Sequence, residues 1–355
     1  MDPTVDWAFA QKVAVRVAGR EPFADSYHWD SLAPDFEEFT ALAEEMVAET
    51  TGLRSLSGPA RARVTDRAGW VGANVSSFQR LLRPVLDKFS ERMGTSPLAP
   101  VTRRATGLEV GALLGWMSGR VLGQYDLLII EDEDPDDQDI VYYVGPNVLA
   151  LEKMYAFPPR EFRLWLALHE VTHRAQFTGV PWMREHFLGL VGEVLESVDP
   201  DPAKLIGIVE QLTDAVRNGR NPLADGGLAM LVASPEQKAA IEKVSGLMSL
   251  LEGHGDVTMD RAGKDLVPNA ERFGRVLRQR RTQAAGLTKL LQQLIGLEAK
   301  LAQYEQGERF IEAVEAEGGT ALLDRAWASP LYLPSIAEIR EPARWVERVR
   351  SADAA

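Results

Sequence analysis

The chain has 355 residues, of which 45% are hydrophobic and 26% are charged, a composition typical of a folded globular protein and not of a disordered or fibrous one. Its 39 basic and 52 acidic residues give a net charge of -13, which disfavours nucleic acid and anionic membrane surfaces as partners. The chain contains no cysteine, which excludes disulfides, iron-sulfur clusters, thiolate metal sites and a cysteine nucleophile. Any metal must therefore be held by His, Asp or Glu.

The N-terminal sequence MDPTVDWAFAQKVAVRV carries acids where a signal peptide has a basic region. No window reaches the roughly 18 uninterrupted apolar residues of a membrane-spanning helix. The sequence therefore predicts a cytoplasmic protein.

Apolar residues recur at helical spacing through most of the chain, which predicts a mostly helical fold. The first clear example is the series Phe36, Phe39, Leu42, Ala43 and Met46. One stretch differs: Leu127 to Ile130 and Ile140 to Val144 are short apolar or β-branched runs on either side of an acidic turn, and they predict a small β-hairpin. Because no linker-like tract separates the helices, residues 1–355 are expected to form a single domain, with a possible thin seam near 200–230.

The motif that indicates chemistry is His169-Glu170-Val171-Thr172-His173, an HExxH pattern within a predicted helix from about 160 to 177. Histidines four positions apart on a helix lie on the same face, so both imidazoles can bind one metal ion. Glu170 projects about 100° away from His169, beside the ion, where it can act as a general base on a water molecule that zinc (Zn2+) acidifies. The pattern predicts a zinc site with Glu170 as the catalytic base.

Two histidines leave zinc one protein ligand short. The metzincin arrangement is excluded, because Gly179 stands where the third histidine of that motif falls. His186 is the nearest histidine, but Gly179-Val180-Pro181 interrupts the chain before it, and an ordinary surface histidine is the favoured interpretation.

A better source of the third ligand is the predicted helix that contains Glu252 and Asp256, which are four positions apart and share one face. Glu252 is the predicted third ligand, and Asp256 is predicted to hydrogen-bond the outer nitrogen of a bound imidazole. His254 projects about 200° from Glu252 and is the alternative ligand. Gly253 favours a close approach of this helix to the HExxH helix.

Two further segments are candidates for the active site. A strand at Ile140 to Val144 could form the edge of the cleft and pair with an extended peptide, with Tyr142 and Tyr143 alternating between cleft and core, or it could merely cover the core. Tyr304 could donate its hydroxyl hydrogen to an oxyanion near the metal, although core packing is the favoured interpretation of this residue.

An HExxH motif followed by a Glu-x-x-x-Asp helix resembles the gluzincins, in which the later Glu is the third zinc ligand and the Asp orients a histidine. A second resemblance covers nearly the whole chain, and it is to an actinobacterial family of zincin-like hydrolases associated with biosynthesis of the deazaflavin coenzyme. Its most informative blocks are VGPNV at 144 to 148, FRLWLALHEVTHRAQFTGVPWMREH, LLEGHGDVTMD and GLEAKLAQYEQGERFIEAV. The resemblance implies a zincin fold and hydrolase activity and names no substrate.

The residues and the resemblance together favour a zinc-dependent hydrolase, of the metallopeptidase type, that acts on a peptide or a small molecule. The alternative is a non-catalytic zincin scaffold or binding protein whose zinc only holds helices together. The two hypotheses differ at the fourth metal position, which a catalytic zinc keeps open to water and a structural zinc closes with protein.

Overall fold

The structure is a computed structural model that describes residues 5–19, 21–23, 26–93, 99–127, 139–196, 235–282 and 297–353. Within these ranges the chain is mostly helical and contains a small three-stranded sheet, which confirms the predicted fold class. In the described residues, no helix combines the length and the apolar character that crossing a membrane requires.

The elements up to residue 181 are α1 (Trp7–Ala18), α2 (Leu32–Thr51), β1 (Arg61–Thr65), α3 (Arg67–Met93), α4 (Ala99–Ser118), β2 (Gly123–Tyr125), β3 (Ile140–Val144), α5 (Gly145–Tyr155) and α6 (Pro159–Gly179). Those that follow are α7 (Met183–Glu196), α8 (Pro235–Ala262), α9 (Ala270–Thr282), α10 (Leu297–Leu323), α11 (Arg325–Ala328), α12 (Ile336–Arg340) and α13 (Pro342–Asp353).

Contacts between Cα atoms group the chain into two compact units. The first unit comprises Met1–Pro181 and Thr258–Phe273, and the second comprises Trp182–Val257 and Gly274–Ala355. Helices α8 and α9 contribute residues to both units. The single-domain organisation stays a prediction, and the predicted seam near 200–230 lies outside the described residues.

The sheet of the first unit has the order β1–β3–β2, with β3 parallel to β1 and antiparallel to β2. The prediction that Ile140 to Val144 forms an edge strand is therefore wrong, since β3 is central and all five of its residues are buried. Tyr142 and Tyr143 are both buried, so they do not alternate between cleft and core. Most of the predicted partner strand at Leu127 to Ile130 lies outside the described residues, because residues 128–138 are not described. The described strand that pairs antiparallel with β3 is Gly123–Tyr125.

The buried end of β3 is tied to helix α2 through Tyr143. The hydroxyl of this residue lies 2.7 Å from Thr40 Oγ1, and its ring stacks on Phe36 with ring centroids 3.8 Å apart. Burial raises the pKa of Tyr143, the hydrogen bond with Thr40 opposes the rise, and the charge of Glu170 adds to it. Tyr143 thus remains neutral, and its side chain packs between strand β3 and helix α2.

Helix α6, which carries the HExxH motif, is largely buried in this unit. It begins at Pro159, a residue suited to the first helical position because its missing N–H has no partner there in any helix. The helix packs against α2 and β2. Most of its side chains are buried, including those of two arginines, Arg163 and Arg174.

The two buried arginines fix α6 on both sides of the HExxH motif. The Arg163 guanidinium donates to both carboxylate oxygens of Glu152 at 2.8 and 3.0 Å and to Asp35 Oδ2 at 2.6 Å. Arg174 donates to Glu44 Oε1 at 2.6 Å and to Asp139 Oδ2 at 2.5 Å. Burial lowers the pKa of each arginine, but the hydrogen bonds and charges of the carboxylates outweigh it, so that both pKa values are raised. Both side chains therefore stay charged and hold the helix in place.

Replacing Arg163 by Met is expected to lower the free energy of unfolding by about 3–5 kcal/mol, because Glu152 would be left as a buried charge without its partner. Arg160→Met is the control, since Arg160 lies on the same helix and also pairs with Asp35, but its side chain is 58% exposed against 2% for Arg163. Solvent already screens that pair, so a much smaller loss is expected. Denaturant titration of both variants measures the difference in the free energy of unfolding. Equal losses of stability would show that burial of Arg163 does not increase its contribution.

The second unit is built around α10, which packs against α11, α12 and α13. The ring of Phe310 meets Trp345 edge-on with centroids 5.4 Å apart, and Trp345 donates its indole N–H to the carbonyl of Tyr332 at 2.7 Å. Helix α8 joins this core through Gly253, where an added Cβ would lie 2.2 Å from the carbonyl carbon of Gly307. The absence of a side chain at Gly253 thus permits close packing against α10, and the predicted approach to the HExxH helix stays a prediction.

Candidate metal centre

The two motif histidines lie one helical turn apart on α6, and both are half-buried although most of the surrounding helix is buried. Their Nε2 atoms are 3.3 Å apart, and the ring planes are inclined at 85°. The i and i+4 spacing of an α-helix places the side chains on one face, and the chosen rotamers direct both Nε2 atoms towards a common point. This is the convergence that the sequence predicts for His169 and His173.

Within the described ranges, one group of residues combines three side-chain ligand atoms suited to a metal ion. It consists of His169, His173 and Glu252, whose ligand atoms all lie within 4.8 Å of one another. Each of the three side chains is half-buried. The predicted third ligand is thus a member of the group, and His254 and His186 are not.

The donor set fits zinc. Two imidazole nitrogens and one carboxylate are a common zinc ligand set, whereas calcium and magnesium prefer oxygen ligands alone. Two nitrogens bound to one tetrahedral zinc at about 2.0–2.1 Å lie about 3.3 Å apart. The observed separation of the two Nε2 atoms, 3.3 Å, matches that requirement.

Glu170 follows His169 and is buried, with 7% of its surface exposed. Its carboxylate lies against the backbone of Gly123 in strand β2: a Cβ atom placed on Gly123 would be 2.7 Å from both Cγ and Oε1 of Glu170. Any residue other than glycine at position 123 would therefore displace the carboxylate. The strand thus leaves a space that the carboxylate of the predicted general base fills.

Strand β2 is an edge strand of the sheet that the described residues form. Val144 donates its N–H to the carbonyl of Leu122, and Asp126 donates to the carbonyl of Ile140. Because hydrogen-bonded pairs alternate along an antiparallel ladder, the main-chain groups of Gly123 point away from β3. Among the described strands, β2 is therefore the edge strand that lies next to Glu170, whereas β3 is central.

Side chains behind β2 hold it in this position. Trp70 donates its indole N–H to Gln124 Oε1 at 2.8 Å, and Gln124 donates to Asn74 Oδ1 at 3.1 Å. Asn147 donates to the carbonyls of Ser118 and Val121 at 2.7 and 2.6 Å. These bonds satisfy buried polar groups just before and within the strand, so they restrict where Gly123 can lie.

The outer nitrogen of His173 also has a partner. His173 Nδ1 lies 3.0 Å from Oε1 of Gln176, which is fully buried on the same helix. No role for Gln176 is predicted from the sequence, although its position three residues after His173 on a helix is a signal that could have identified it.

The remaining candidates occupy different surroundings. Asp256 is half-buried on α8, and its predicted hydrogen bond to an imidazole stays a prediction. The ring of His254 packs edge-on against Trp327 with centroids 4.9 Å apart. His186 lies on α7, and its ring packs edge-on against Trp182, which precedes that helix. Burial lowers the pKa of His186. Tyr304 is part of α10, but its side chain lies outside what the structure describes.

Comparisons with known proteins agree with this geometry. A family model described as zincin-like metallopeptidase matches residues 5–346. A solved structure from Chloroflexus aurantiacus, provisionally described as a hydrolase with a novel fold, is 30% identical in sequence with a TM-score of 0.70. The match covers 98% of this chain and 99% of that one. No curated protein matches the chain.

Proposed function

Because the chain belongs to the zincin-like metallopeptidase family, we propose that it is a zinc-dependent hydrolase in which His169, His173 and Glu252 hold the metal and Glu170 is the general base. The family match and the similar structure from Chloroflexus aurantiacus support hydrolase activity at a general level.

The proposed mechanism divides the work between these side chains. Zinc bound by the three ligands would supply a Lewis acid that makes water more acidic and polarises a carbonyl group. Glu170 accepts a proton from the attacking water and delivers it to the leaving group, so that one carboxylate serves as base and then as acid. Burial of Glu170 and its contact with Gly123 keep the carboxylate in one orientation for both transfers.

The observation that carries this proposal is the placement of Glu170. A metal that only held helices together would need the two imidazoles and Glu252 but would not need a carboxylate at the second position of the motif. In the structure that carboxylate is buried against a glycine that leaves it just enough room. A buried carboxylate next to the ligand His169, at the second position of the motif, is placed as a general base requires, which favours catalysis over a scaffold role.

We further propose that the substrate is an extended peptide. Strand β2 has the main-chain groups of Gly123 directed away from β3, at an edge of the sheet of described strands, and Gly123 lies against Glu170. A peptide that paired with this edge would gain main-chain hydrogen bonds and would run past the general base. A small-molecule substrate would have no use for a strand edge, although the same acid-base chemistry could cleave it.

Gly123→Ala is expected to lower the rate constant kcat by about 10- to 100-fold, because a catalytic group displaced by about 1 Å loses activity on that scale. The new methyl group would lie 2.7 Å from Cγ and Oε1 of Glu170, so the side chain of Glu170 must shift and its carboxylate is displaced. Zinc content should stay at the wild-type level, since no ligand is touched. The measurement is kcat with zinc content determined on the same sample.

The control for this variant is Gly72→Ala on α3, where an added Cβ would meet only Gln11 Nε2 at an ordinary 3.7 Å. It should keep full activity. If Gly123→Ala also keeps full activity, the contact between Gly123 and Glu170 does not position the base.

The experiment that tests the proposed function is a digestion of a mixture of peptides followed by mass spectrometry. The protein is stripped of metal with a chelator and assayed before and after zinc is restored. Cleavage that appears only with zinc supports the proposal. Zinc binding without cleavage of any peptide or model ester would contradict it and would favour the scaffold alternative.

An actinobacterial origin, the association with deazaflavin coenzyme biosynthesis and a cytoplasmic location stay predictions from the sequence. The proposed chemistry does not depend on any of the three.

A further inference from the structure

We propose that Gln176 is a positioning residue for His173, in that its amide oxygen accepts the Nδ1 hydrogen and so fixes the imidazole in the tautomer that can bind a metal. This inference rests on the metal site of the proposed function. It assigns a role to a residue outside the HExxH motif.

The geometry defines the direction of the hydrogen bond. His173 Nδ1 and Gln176 Oε1 are 3.0 Å apart, and an amide oxygen can only accept. The imidazole must then carry its hydrogen on Nδ1, which leaves Nε2 with a free lone pair. That Nε2 is the atom that lies 3.3 Å from Nε2 of His169.

The opposite tautomer loses the hydrogen bond to Gln176, because an unprotonated Nδ1 would face the amide oxygen at 3.0 Å as a second acceptor. A hydrogen on Nε2 of His173 could be donated to Nε2 of His169 in the metal-free protein, but it would occupy the lone pair that a metal ion needs. In solution a neutral imidazole exchanges between the two tautomers. A metal site therefore gains affinity when a hydrogen-bond partner stabilises the tautomer whose Nε2 can bind the metal.

The position of Gln176 makes it a rigid partner. It is fully buried, and it is three residues after His173 on α6, whose ends are fixed by Arg163 and Arg174. A buried side chain on a fixed helix has few rotamers, so the accepting oxygen stays where His173 needs it. The partner is a neutral amide, which fixes the ring without adding a negative charge to the site.

The test compares three variants with the wild type. Gln176→Leu removes the acceptor at similar volume and should weaken zinc binding by about 10- to 100-fold in a chelator competition. Gln176→Glu keeps an accepting oxygen and should bind zinc nearly as the wild type does. Thr172→Val is the matched control, since Thr172 is fully buried on the same helix and donates to the carbonyl of Leu168.

A second measurement does not need the metal. Long-range proton–nitrogen NMR of the metal-free protein, above the imidazole pKa, reports which nitrogen of His173 carries the hydrogen. The hydrogen should be on Nδ1 in the wild type and in Gln176→Glu, and it should be shared between both nitrogens in Gln176→Leu.

The outcomes separate this inference from the proposed function. If the wild type binds zinc and a folded Gln176→Leu binds it equally tightly, the role of Gln176 is wrong and the metal site stands. If the wild type binds no zinc, the metal site is wrong, and the NMR result alone decides whether Gln176 fixes the ring. A hydrogen on Nε2 of His173 in the wild type would overturn the inference in either case.

Discussion

Glu170→Gln is expected to lower kcat by about 100- to 10,000-fold while the fold and the zinc content remain unchanged. The amide has nearly the same shape as the carboxylate and fits the same space against Gly123, but it cannot accept a proton from water. Glu170 is not among the three ligands, so the metal should stay bound. The measurement is turnover of a peptide that the wild type cleaves, with zinc determined on the same preparation.

Glu161→Gln provides the matched control, because Glu161 lies on the same helix and its carboxylate accepts a hydrogen bond from Asn269 Nδ2 at 2.8 Å, which a glutamine oxygen can also accept. This variant should keep full turnover. Unchanged turnover in Glu170→Gln would remove Glu170 from the mechanism, whereas loss of zinc in that variant would show that Glu170 binds the metal directly.

Glu252→Ala is expected to lose most of the zinc, because it removes one of three protein ligands and leaves two imidazoles. Asp256→Ala should weaken zinc binding by only about 10- to 100-fold, as expected for a residue that orients a ligand without touching the metal. His254→Ala should leave zinc affinity unchanged, since the ring of His254 packs against Trp327. Chelator competition on the three variants gives their order.

The reverse order would be decisive. If His254→Ala loses zinc while Glu252→Ala keeps it, the ligand assignment on α8 is wrong and the resemblance to gluzincins does not extend to the third ligand. The assignment of His169 and His173 would be unaffected by that result.

The sequence predicts the three residues that the structure brings together as a candidate metal site, because each helical pair is encoded locally. His169 and His173 share a helix face by their spacing alone, and so do Glu252 and Asp256. In the structure the half-buried positions 252 and 256 alternate with buried neighbours, as the helical period requires. The absence of cysteine limits the third ligand to His, Asp or Glu, and the spacing of Glu252 and Asp256 on one helix face is what singles out Glu252 as the candidate.

The sheet could not be predicted correctly from the sequence, because strand order depends on pairing between distant segments. Strand β1 is polar and reads RARVT, yet it pairs in parallel with β3, 79 positions later at the register Arg61↔Ile140. Its presence turns β3 into a central strand and leaves β2 at the edge. The fully apolar character of Ile140–Val144 is the one local signal of a central position.

Gly123 illustrates the same limit at the candidate active site. No local pattern around it distinguishes it from the other glycines, and its role appears only when β2 and α6 are brought together in the fold. Arg163 and Arg174 are intermediate cases: charged residues within an apolar helix suggest buried ion pairs, but their partners on α2 and α5 cannot be identified from spacing.

The most direct test of the metal centre is elemental analysis of the wild type, His169→Ala and His173→Ala after reconstitution with zinc and removal of the excess. About one zinc per chain is expected in the wild type, and much less than one in each variant, because two remaining ligands bind zinc weakly. Folding is checked on the same samples by circular dichroism. Full zinc occupancy in both folded variants would contradict the assignment of these histidines as ligands and, with it, the proposed mechanism.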